Sequence, residues 1–202
     1  MSDRFASIVL ASASPRRHEI LTQMGVRFRV AEHTVDERMQ PGEPPVAFVQ
    51  RLALEKARSV QALQPHNPLP VMGADTIVVC GQQILGKPLD REDALRMLAL
   101  LSGRRHQVHT AVALCLGARQ EVVLSTTEVG FRPLSAAQMQ RYWESGEPEG
   151  KAGAYAIQGL GGMFVNALNG SYSGVVGLPV FETGELCTRF GVQTGLSVEE
   201  QA

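Results

Sequence analysis

The sequence predicts a mixed α/β chain, because its apolar residues follow two different periods. Short runs rich in β-branched residues, at 8–11 and 70–80, are typical of buried strands. Residues 46–63 instead place apolar side chains every three or four positions, as one face of a helix does. Clusters of glycine and proline separate these segments. We therefore expect strands and helices in one chain, with tight loops where they meet.

The first part of the chain predicts a strand, a loop, a helix, a second strand and a long helix. After the first strand, apolar residues at 19–24 take helical spacing. Alternation at 27–30 indicates a short strand, and a polar loop follows at 33–37. The long helix begins near Val46 and ends before Pro65.

The rest of the chain predicts two hairpins and three more helices. The predicted elements are, in order, the strand 70–80 with a hairpin turn to 84–89, a helix capped by Asp90, the strands 108–116 and 121–131, a helix with a Ser135–Gln138 capping box, and a last helix at about 180–190. We expect one domain over residues 1–202, with a polar, frayed tail from about residue 195.

Composition limits the partners of the chain. Of its 202 residues, 44% are hydrophobic and 19% are charged, which is enough for a sizeable core. The formal net charge of −1 gives no general attraction to nucleic acid or membrane surfaces, so an anion must be bound by a local basic cluster. The three cysteines lie far apart, which favours a reducing compartment, and no apolar run reaches the roughly 18 residues that span a bilayer. We expect a cytoplasmic protein without membrane or nucleic-acid partners.

The hexapeptide Ser12–Arg17 lies where the first strand is followed by the first helix. Ser14 suits the position just before a helix, and Pro15 suits the first helical position. Arg16 and Arg17 then fall in the first turn, where the helix dipole disfavours cations unless an anion lies in front of them. Backbone N–H groups and two guanidinium groups suit a phosphate ester. The alternative is a solvated arginine pair at an exposed helix start.

Two carboxylates stand out. Asp75 is the one charged residue in the most apolar strand, where a carboxylate is costly to bury unless it is paired or binds a metal. The alternative is a solvent-facing aspartate on an edge strand or in a turn beside Gly73. Glu37 ends the polar loop after the second strand. His106 and His109 lack metal-ligand spacing, so we expect them to be structural.

Lys56 and Lys87 are the remaining cations of interest. On the helical pattern alone Lys56 faces solvent, as most helix lysines do. Lys87 precedes Pro88, which holds it in an extended conformation. Carboxylates beside several cations, without a cysteine or histidine cluster, suit Mg²⁺ or Mn²⁺ holding a polyphosphate. The chemistry that these residue types support is hydrolysis of a phosphoanhydride.

Five sequence blocks follow one another between residues 8 and 190. They are Ser12–Arg17, Gly73–Thr76, Gly86–Pro88, Lys151–Tyr155 with Ile157–Gly159, and Gly170–Tyr172 through Val176–Pro179. Together they resemble the signature blocks of the Maf family of nucleoside triphosphate pyrophosphatases. The resemblance implies an α/β fold with an elongated mixed β-sheet flanked by helices, related to the ITP pyrophosphatases. It also implies a cytoplasmic, frequently homodimeric enzyme that uses a divalent metal cation, Mg²⁺ or Mn²⁺, to cleave a nucleoside triphosphate between its α and β phosphates.

The resemblance also implies roles for individual residues. Asp75 takes the position of the catalytic proton acceptor and, together with Glu37, lies near the metal ion. Arg17, Lys56 and Lys87 take the positions that hold phosphates. We therefore expect these five side chains to converge on one triphosphate.

Three positions resemble the branch of the family that acts on dTTP and UTP, namely Arg16, Thr76 and Gln158. The sister branch prefers 7-methyl-GTP and typically carries Trp-Arg-Arg, a glutamine after the aspartate, and Ser-Glu-Gly at these places. The Gln158 amide offers a donor and an acceptor to the O4 and N3–H edge of uracil or thymine, and cytosine reverses that pattern. One departure is Ser173-Gly174, where family members often carry a bulkier or amide residue at the second position. It concerns the loop rather than the chemistry.

Other interpretations stay open at this point. A pyrophosphatase for 7-methyl-GTP is the alternative within the enzymes. Maf proteins have also been associated with inhibition of septum formation, so a non-catalytic regulator is an interpretation of a different class. A nucleic-acid-binding module has the least support, because the chain lacks a stripe of aromatic and basic residues.

Overall fold

The computed structural model describes residues 6–198, which form seven strands and six α-helices. The strands are β1 (Ile8–Leu10), β2 (Phe28–Val30), β3 (Val71–Cys80), β4 (Gln83–Leu85), β5 (Arg105–Leu116), β6 (Arg119–Phe131) and β7 (Val165–Asn169). The helices are α1 (Pro15–Gln23), α2 (Pro45–Leu63), α3 (Arg91–Leu101), α4 (Ala136–Glu144), α5 (Tyr172–Val176) and α6 (Val180–Arg189). Short 3₁₀ turns lie at Ala152–Ala154 and Leu160–Phe164.

The strands form one sheet in the order β2-β1-β3-β5-β6-β7, with β4 paired to β3 off this path. Strand β1 runs parallel to both β2 and β3. Strands β3 and β4 are antiparallel, as are β6 and β7. The sheet is therefore mixed, and the prediction of an α/β fold with a mixed sheet flanked by helices is confirmed.

Helix starts follow the sequence signals closely. The Asp90 carboxylate accepts a hydrogen bond from the Asp93 N–H at 2.8 Å, and Ser135 and Gln138 form both bonds of the predicted capping box. Helix α1 begins at Pro15 after Ser14, as predicted. Within the described residues the Ser14 side chain makes no capping bond, and its backbone N–H instead donates to the Ser12 hydroxyl at 3.3 Å.

The chain divides into two compact units, and the division falls within β3, between Asp75 and Thr76. The first unit runs to Asp75 and adds Ala111–Leu124 and the chain from Gly177 onward. Its fully buried apolar side chains come from the strands β1, β3 and β5 and from the helices α1, α2 and α6. They include Ile8, Leu21, Val49, Met72, Leu114 and Leu186.

The second unit comprises Thr76–Thr110 and Ser125–Val176. Its core joins β3, β4, α3 and α4 to an aromatic cluster and includes Val78, Leu85, Leu98, Phe131, Tyr142, Tyr155 and Phe164. His106 belongs to this cluster: its Nε2 lies 2.9 Å from the Tyr155 hydroxyl, and its ring packs edge-on against Phe131.

Two further observations concern the ends and the surface. The predicted tail lies partly outside the described residues, and at its start the Gly195 N–H donates to the Met24 carbonyl at 2.8 Å. Among residues 6–198, no helix is both long enough and apolar enough to cross a membrane.

Candidate functional site

A glycine brings helix α2 onto strand β3. A Cβ atom on Gly73 would lie 2.2 Å from the Ala53 carbonyl oxygen and 2.6 Å from the Ala57 nitrogen, so only glycine fits there. Side chains two residues apart on a strand point to the same face, which places Asp75 on the face that α2 covers. Lys56 precedes Ala57 in the chain, and it therefore lies beside Asp75.

Lys56 joins two carboxylates. Its Nζ atom lies 2.6 Å from Asp75 Oδ1 and 2.6 Å from Glu37 Oε1. Lys56 is 5% exposed and Asp75 is 9% exposed. The expectation that Lys56 faces solvent is wrong, because α2 turns this position toward β3, where the carboxylates compensate the buried ammonium. Asp75 is correspondingly buried and paired on an interior strand, which is what its sequence context requires.

Arg17 is held in the same unit by backbone and hydroxyl oxygens. Its Nε donates to the Gly177 carbonyl at 2.9 Å, and its Nη1 donates to the Ser12 hydroxyl at 3.1 Å. Burial lowers the pKa of Arg17, and the Asp75 carboxylate opposes that shift. An arginine nevertheless stays protonated in proteins. Arg17 is therefore a fixed cation within electrostatic reach of Asp75, and Arg16 beside it is half-buried rather than fully solvated.

His33 is a member of this neighbourhood that the sequence analysis did not single out. Burial lowers its pKa, the Lys56 ammonium lowers it further, and the Glu37 carboxylate raises it. Its Nδ1 atom is buried and finds no hydrogen-bond partner among the described residues. The only sequence signal was its place in the polar loop that ends at Glu37, and loop geometry cannot be derived from that pattern.

The donor set fits one kind of metal ion. Residues 6–198 contain no group of three or more histidine, cysteine, aspartate or glutamate side chains that could hold a metal by themselves. Glu37 and Asp75 supply two carboxylates that share one ammonium partner. Mg²⁺ is usually bound by one or two carboxylates together with water and substrate phosphates. These two residues therefore fit an ion of the Mg²⁺ type that is completed by a phosphate ligand, rather than a preformed protein cage.

In the second unit, Thr76 is the first donor in a chain of two hydrogen bonds that runs through Thr110 to the backbone of Gly174. Its hydroxyl lies 3.0 Å from the Thr110 hydroxyl, and Thr110 donates to the Gly174 carbonyl at 2.7 Å. Because the single Thr110 hydrogen points at that carbonyl, Thr76 is the donor to Thr110. The contact uses the backbone of Gly174, so the unusual residue at this position does not disturb it.

Lys87 and Gln158 lie on other segments of the second unit. Lys87 is exposed two residues after the end of β4, and the carbonyl of the preceding Gly86 accepts a bond from the Gly153 N–H at 3.0 Å. Gln158 is exposed just before the 3₁₀ turn at Leu160–Phe164. The first unit thus brings together Arg17, Lys56, Glu37 and Asp75, while Thr76, Lys87 and Gln158 occupy three separate segments of the second. Their functional roles stay predictions.

Comparison with known proteins decides the family. The family model described as Maf-like protein matches residues 7–190. The chain belongs to the Maf-like protein family. The predicted resemblance is therefore confirmed across nearly the whole chain.

Relatives of this Maf protein carry a more specific name. It is 50% identical over 193 residues to the "dTTP/UTP pyrophosphatase" of Saccharophagus degradans, a match that covers 94% of this chain and 91% of the relative. It is 51% identical over 192 residues to the protein of the same name in Bordetella parapertussis, covering 92% and 93% respectively. A solved structure of the Staphylococcus aureus Ham1 protein matches 61% of this chain and 71% of that one, with 13% identity and a TM-score of 0.37.

Proposed function

We propose that this Maf protein hydrolyses dTTP and UTP between the α and β phosphates, releasing the nucleoside monophosphate and pyrophosphate. The observation that carries the proposal is the buried Asp75, joined to Glu37 through Lys56, in a chain that is half identical to proteins named dTTP/UTP pyrophosphatase. A buried carboxylate that is bonded to Lys56 and lies within electrostatic reach of Arg17 suits hydrolysis of a phosphoanhydride.

The reaction transfers one water molecule across a phosphoanhydride bond. The water oxygen forms a bond to phosphorus, the bridging P–O bond breaks, and the pyrophosphate leaves with the bonding electron pair. We assign Asp75 as the group that accepts the proton of the water. Lys56 binds one oxygen of this carboxylate, which fixes its orientation on β3.

The triphosphate carries several negative charges that must be neutralised before water can attack. Arg17, Lys56 and Lys87 are the side chains that we assign to this task. Glu37 and Asp75 would hold the divalent cation, Mg²⁺ or Mn²⁺. When bound, that ion supplies charge neutralisation on the phosphate oxygens.

Base selection is assigned to Arg16, Thr76 and Gln158. The amide of Gln158 can pair with the O4 and N3–H edge that uracil and thymine share. Cytosine presents the reversed pattern, so an amide held in the orientation that suits uracil would face donor with donor and acceptor with acceptor, and such a site rejects cytosine. A cytoplasmic location and a homodimeric state remain predictions from the family resemblance.

A nucleotide panel tests the proposal. UTP, dTTP, CTP and 7-methyl-GTP are incubated with the full-length protein and Mg²⁺ or Mn²⁺, and pyrophosphate and orthophosphate are measured separately. We expect pyrophosphate from UTP and dTTP at a kcat/KM about tenfold or more above that for the other two. Orthophosphate as the product would refute cleavage at the α–β bond. A preference for 7-methyl-GTP would move the chain to the sister branch, and no turnover at all would favour the regulatory interpretation.

A further inference from the structure

The glycine-rich segment that carries Gln158 is held by hydrogen bonds on both sides of that residue. On one side, the Ala156 N–H donates to the Tyr142 hydroxyl at 3.0 Å. On the other, the Leu160 and Gly161 N–H groups donate to the Glu147 carboxylate at 2.8 and 2.9 Å. Three backbone N–H groups on either side of residues 157–159 therefore donate to two side chains, Tyr142 and Glu147.

These two side chains are themselves joined. The Tyr142 hydroxyl donates to Glu147 Oε1 at 2.6 Å, so its single hydrogen is committed to the carboxylate and its lone pairs face Ala156. Burial raises the pKa of Tyr142, which keeps the phenol protonated. Burial also opposes ionisation of Glu147, but the bonds from Tyr142, Gly161 and Leu160 outweigh it and lower the pKa of that carboxyl. The direction of every bond in this Tyr142–Glu147 clamp is thus fixed.

The clamp explains two glycines of the segment. A Cβ atom on Gly159 would lie 2.1 Å from the Glu147 carboxylate, and one on Gly161 would lie 2.6 Å from the Tyr142 hydroxyl. Neither group can move aside without breaking the bonds described above, because both are bonded on more than one side. The glycines therefore belong to the clamp rather than to a flexible loop.

Gln158 itself takes no part in the clamp. Its side chain is exposed, and among residues 6–198 the amide makes no hydrogen bond. The structure therefore presents an unbonded amide on a backbone that is tied down at Ala156, Leu160 and Gly161. The clamp thus fixes the place from which the Gln158 side chain extends and leaves its amide open to a ligand.

We propose that Tyr142 and Glu147 are positioning residues that fix Gln158 for recognition of the pyrimidine base. This inference rests on the proposed function and deepens it, because it assigns base discrimination to two residues that the assigned phosphate chemistry does not use. Neither residue touches the reacting phosphate in the proposal; both act through the backbone on either side of Gln158. Loosening the clamp therefore weakens discrimination between bases and leaves the chemical step intact.

The experiment compares Tyr142→Phe, Glu147→Gln and the double variant with wild type, using UTP and CTP. Both substitutions keep the shape of the side chain while removing a donor or a charged acceptor. We expect the ratio of kcat/KM for UTP to that for CTP to fall about tenfold in each single variant, mainly through a higher KM for UTP. The double variant should lose little more than either single variant, because the two side chains form one unit. Glu144→Gln, an exposed glutamate on α4, is the matched control and should behave as wild type.

A purely structural role for the clamp gives a different result. In that case UTP and CTP would lose kcat/KM by the same factor, or neither would change, and the proposal would be overturned. Gly159→Ala is a second way to disrupt the clamp. Its added Cβ displaces the Glu147 carboxylate, while Tyr142 and Glu147 themselves stay unchanged. If the single variants fail to fold, as judged by circular dichroism, this variant decides the question with the same ratio.

The wild-type assay separates this inference from the proposed function. If wild type releases no pyrophosphate from UTP, the proposed function fails, and the specificity role falls with it. If wild type discriminates between UTP and CTP and the variants keep that discrimination, only the clamp is refuted. Hydrogen exchange at Ala156, Leu160 and Gly161, expected to be about tenfold faster in Glu147→Gln, confirms that the substitution loosened the segment.

Discussion

Asp75 in the first unit and Glu147 in the second are both carboxylates that collect hydrogen-bond donors, yet their partners differ in kind. Asp75 is bonded by the ammonium of Lys56 and lies in the field of Arg17. Glu147 is bonded by a phenol and two backbone N–H groups, all of them neutral. The first arrangement concentrates charge, and the second fixes the backbone. The same functional group is thus surrounded by charged partners in one unit and by neutral donors in the other.

Removing the charge of Asp75 should give the largest effect on activity. Asp75→Asn keeps the shape of the side chain and its place beside Lys56 but removes the proton acceptor, so we expect kcat/KM for UTP to fall about 10³-fold. The rate of pyrophosphate release from UTP measures this fall in kcat/KM. Asp36→Asn is the matched control, because Asp36 is an exposed aspartate near Glu37 that pairs only with Arg38 among the described side chains. Wild-type rates in Asp75→Asn would remove Asp75 from the mechanism.

Stability should distinguish the two carboxylates directly. Lys56→Met leaves Asp75 buried without its ammonium partner, so we expect the free energy of unfolding to fall by about 3–5 kcal/mol. Glu147→Gln disturbs only neutral donors and should cost about 1–2 kcal/mol. Urea denaturation compares them, with Arg58→Met as a control for the loss of an exposed cation on α2. Equal losses in the two variants would show that the charged and neutral arrangements do not differ as described.

The close approach of α2 to β3 can be tested at Gly73. Gly73→Ala introduces a Cβ into backbone atoms of Ala53 and Ala57, and we expect it to lower the free energy of unfolding by about 2–3 kcal/mol. It should also reduce activity, because it separates Lys56 from Asp75. Gly86→Ala is the control for stability, since nothing lies within 4 Å of the added atom. A stable Gly73→Ala variant would mean that α2 is not held as closely as the structure indicates.

The last effect is confined to acid pH and concerns a buried polar group that stays neutral. Burial lowers the pKa of His106 from 6.5 to about 4, so the unfolded chain takes up a proton first as the pH falls. The stability that His106 contributes is complete above pH 6.5 and is lost as the pH falls toward 4. In this range, the titration of His106 lowers the free energy of unfolding by at most about 1.4 kcal/mol per pH unit.

His106→Gln removes this titration and retains a polar partner for Tyr155. Thermal unfolding between pH 6.5 and about 4 should show a shallower decline in this variant than in wild type. His66→Gln, at an exposed position, should follow wild type. A parallel decline of His106→Gln and wild type would contradict the assignment of a buried neutral imidazole.

The parts of the fold that follow local rules could be predicted from the sequence. Periodicity located six of the seven strands and the long helix, and side-chain chemistry located the capping residues Asp90 and Ser135. Strand β7 and the short helix α5 were missed, because both lie in glycine-rich sequence without a clear period. Asp75 could be recognised because a single charge in an apolar strand requires a partner. The ordered motif blocks identified the family, since several blocks in sequence are far more specific than any one.

The parts that depend on tertiary packing could not be predicted in this way. Lys56 has the sequence context of a solvated helix lysine, and only the contact of α2 with Gly73 turns it into the core. Glu147 lies in a segment rich in glycine and proline, where no periodic signal indicates which backbone N–H groups it will meet. His33 falls in a loop whose path is set by the elements around it. In each case the deciding partner is distant in sequence.

The occupied space beside Gly159 and Gly161 has a practical consequence for altering base preference. Substitution at either glycine would displace the phenol or the carboxylate, so a change of specificity is better sought at the positions between and around them. Gln158 is exposed beside them, and replacing its side chain removes none of the hydrogen bonds of the clamp. Under the proposed role of Gln158, a library randomised at that position, with both glycines retained, should yield enzymes that accept another nucleobase.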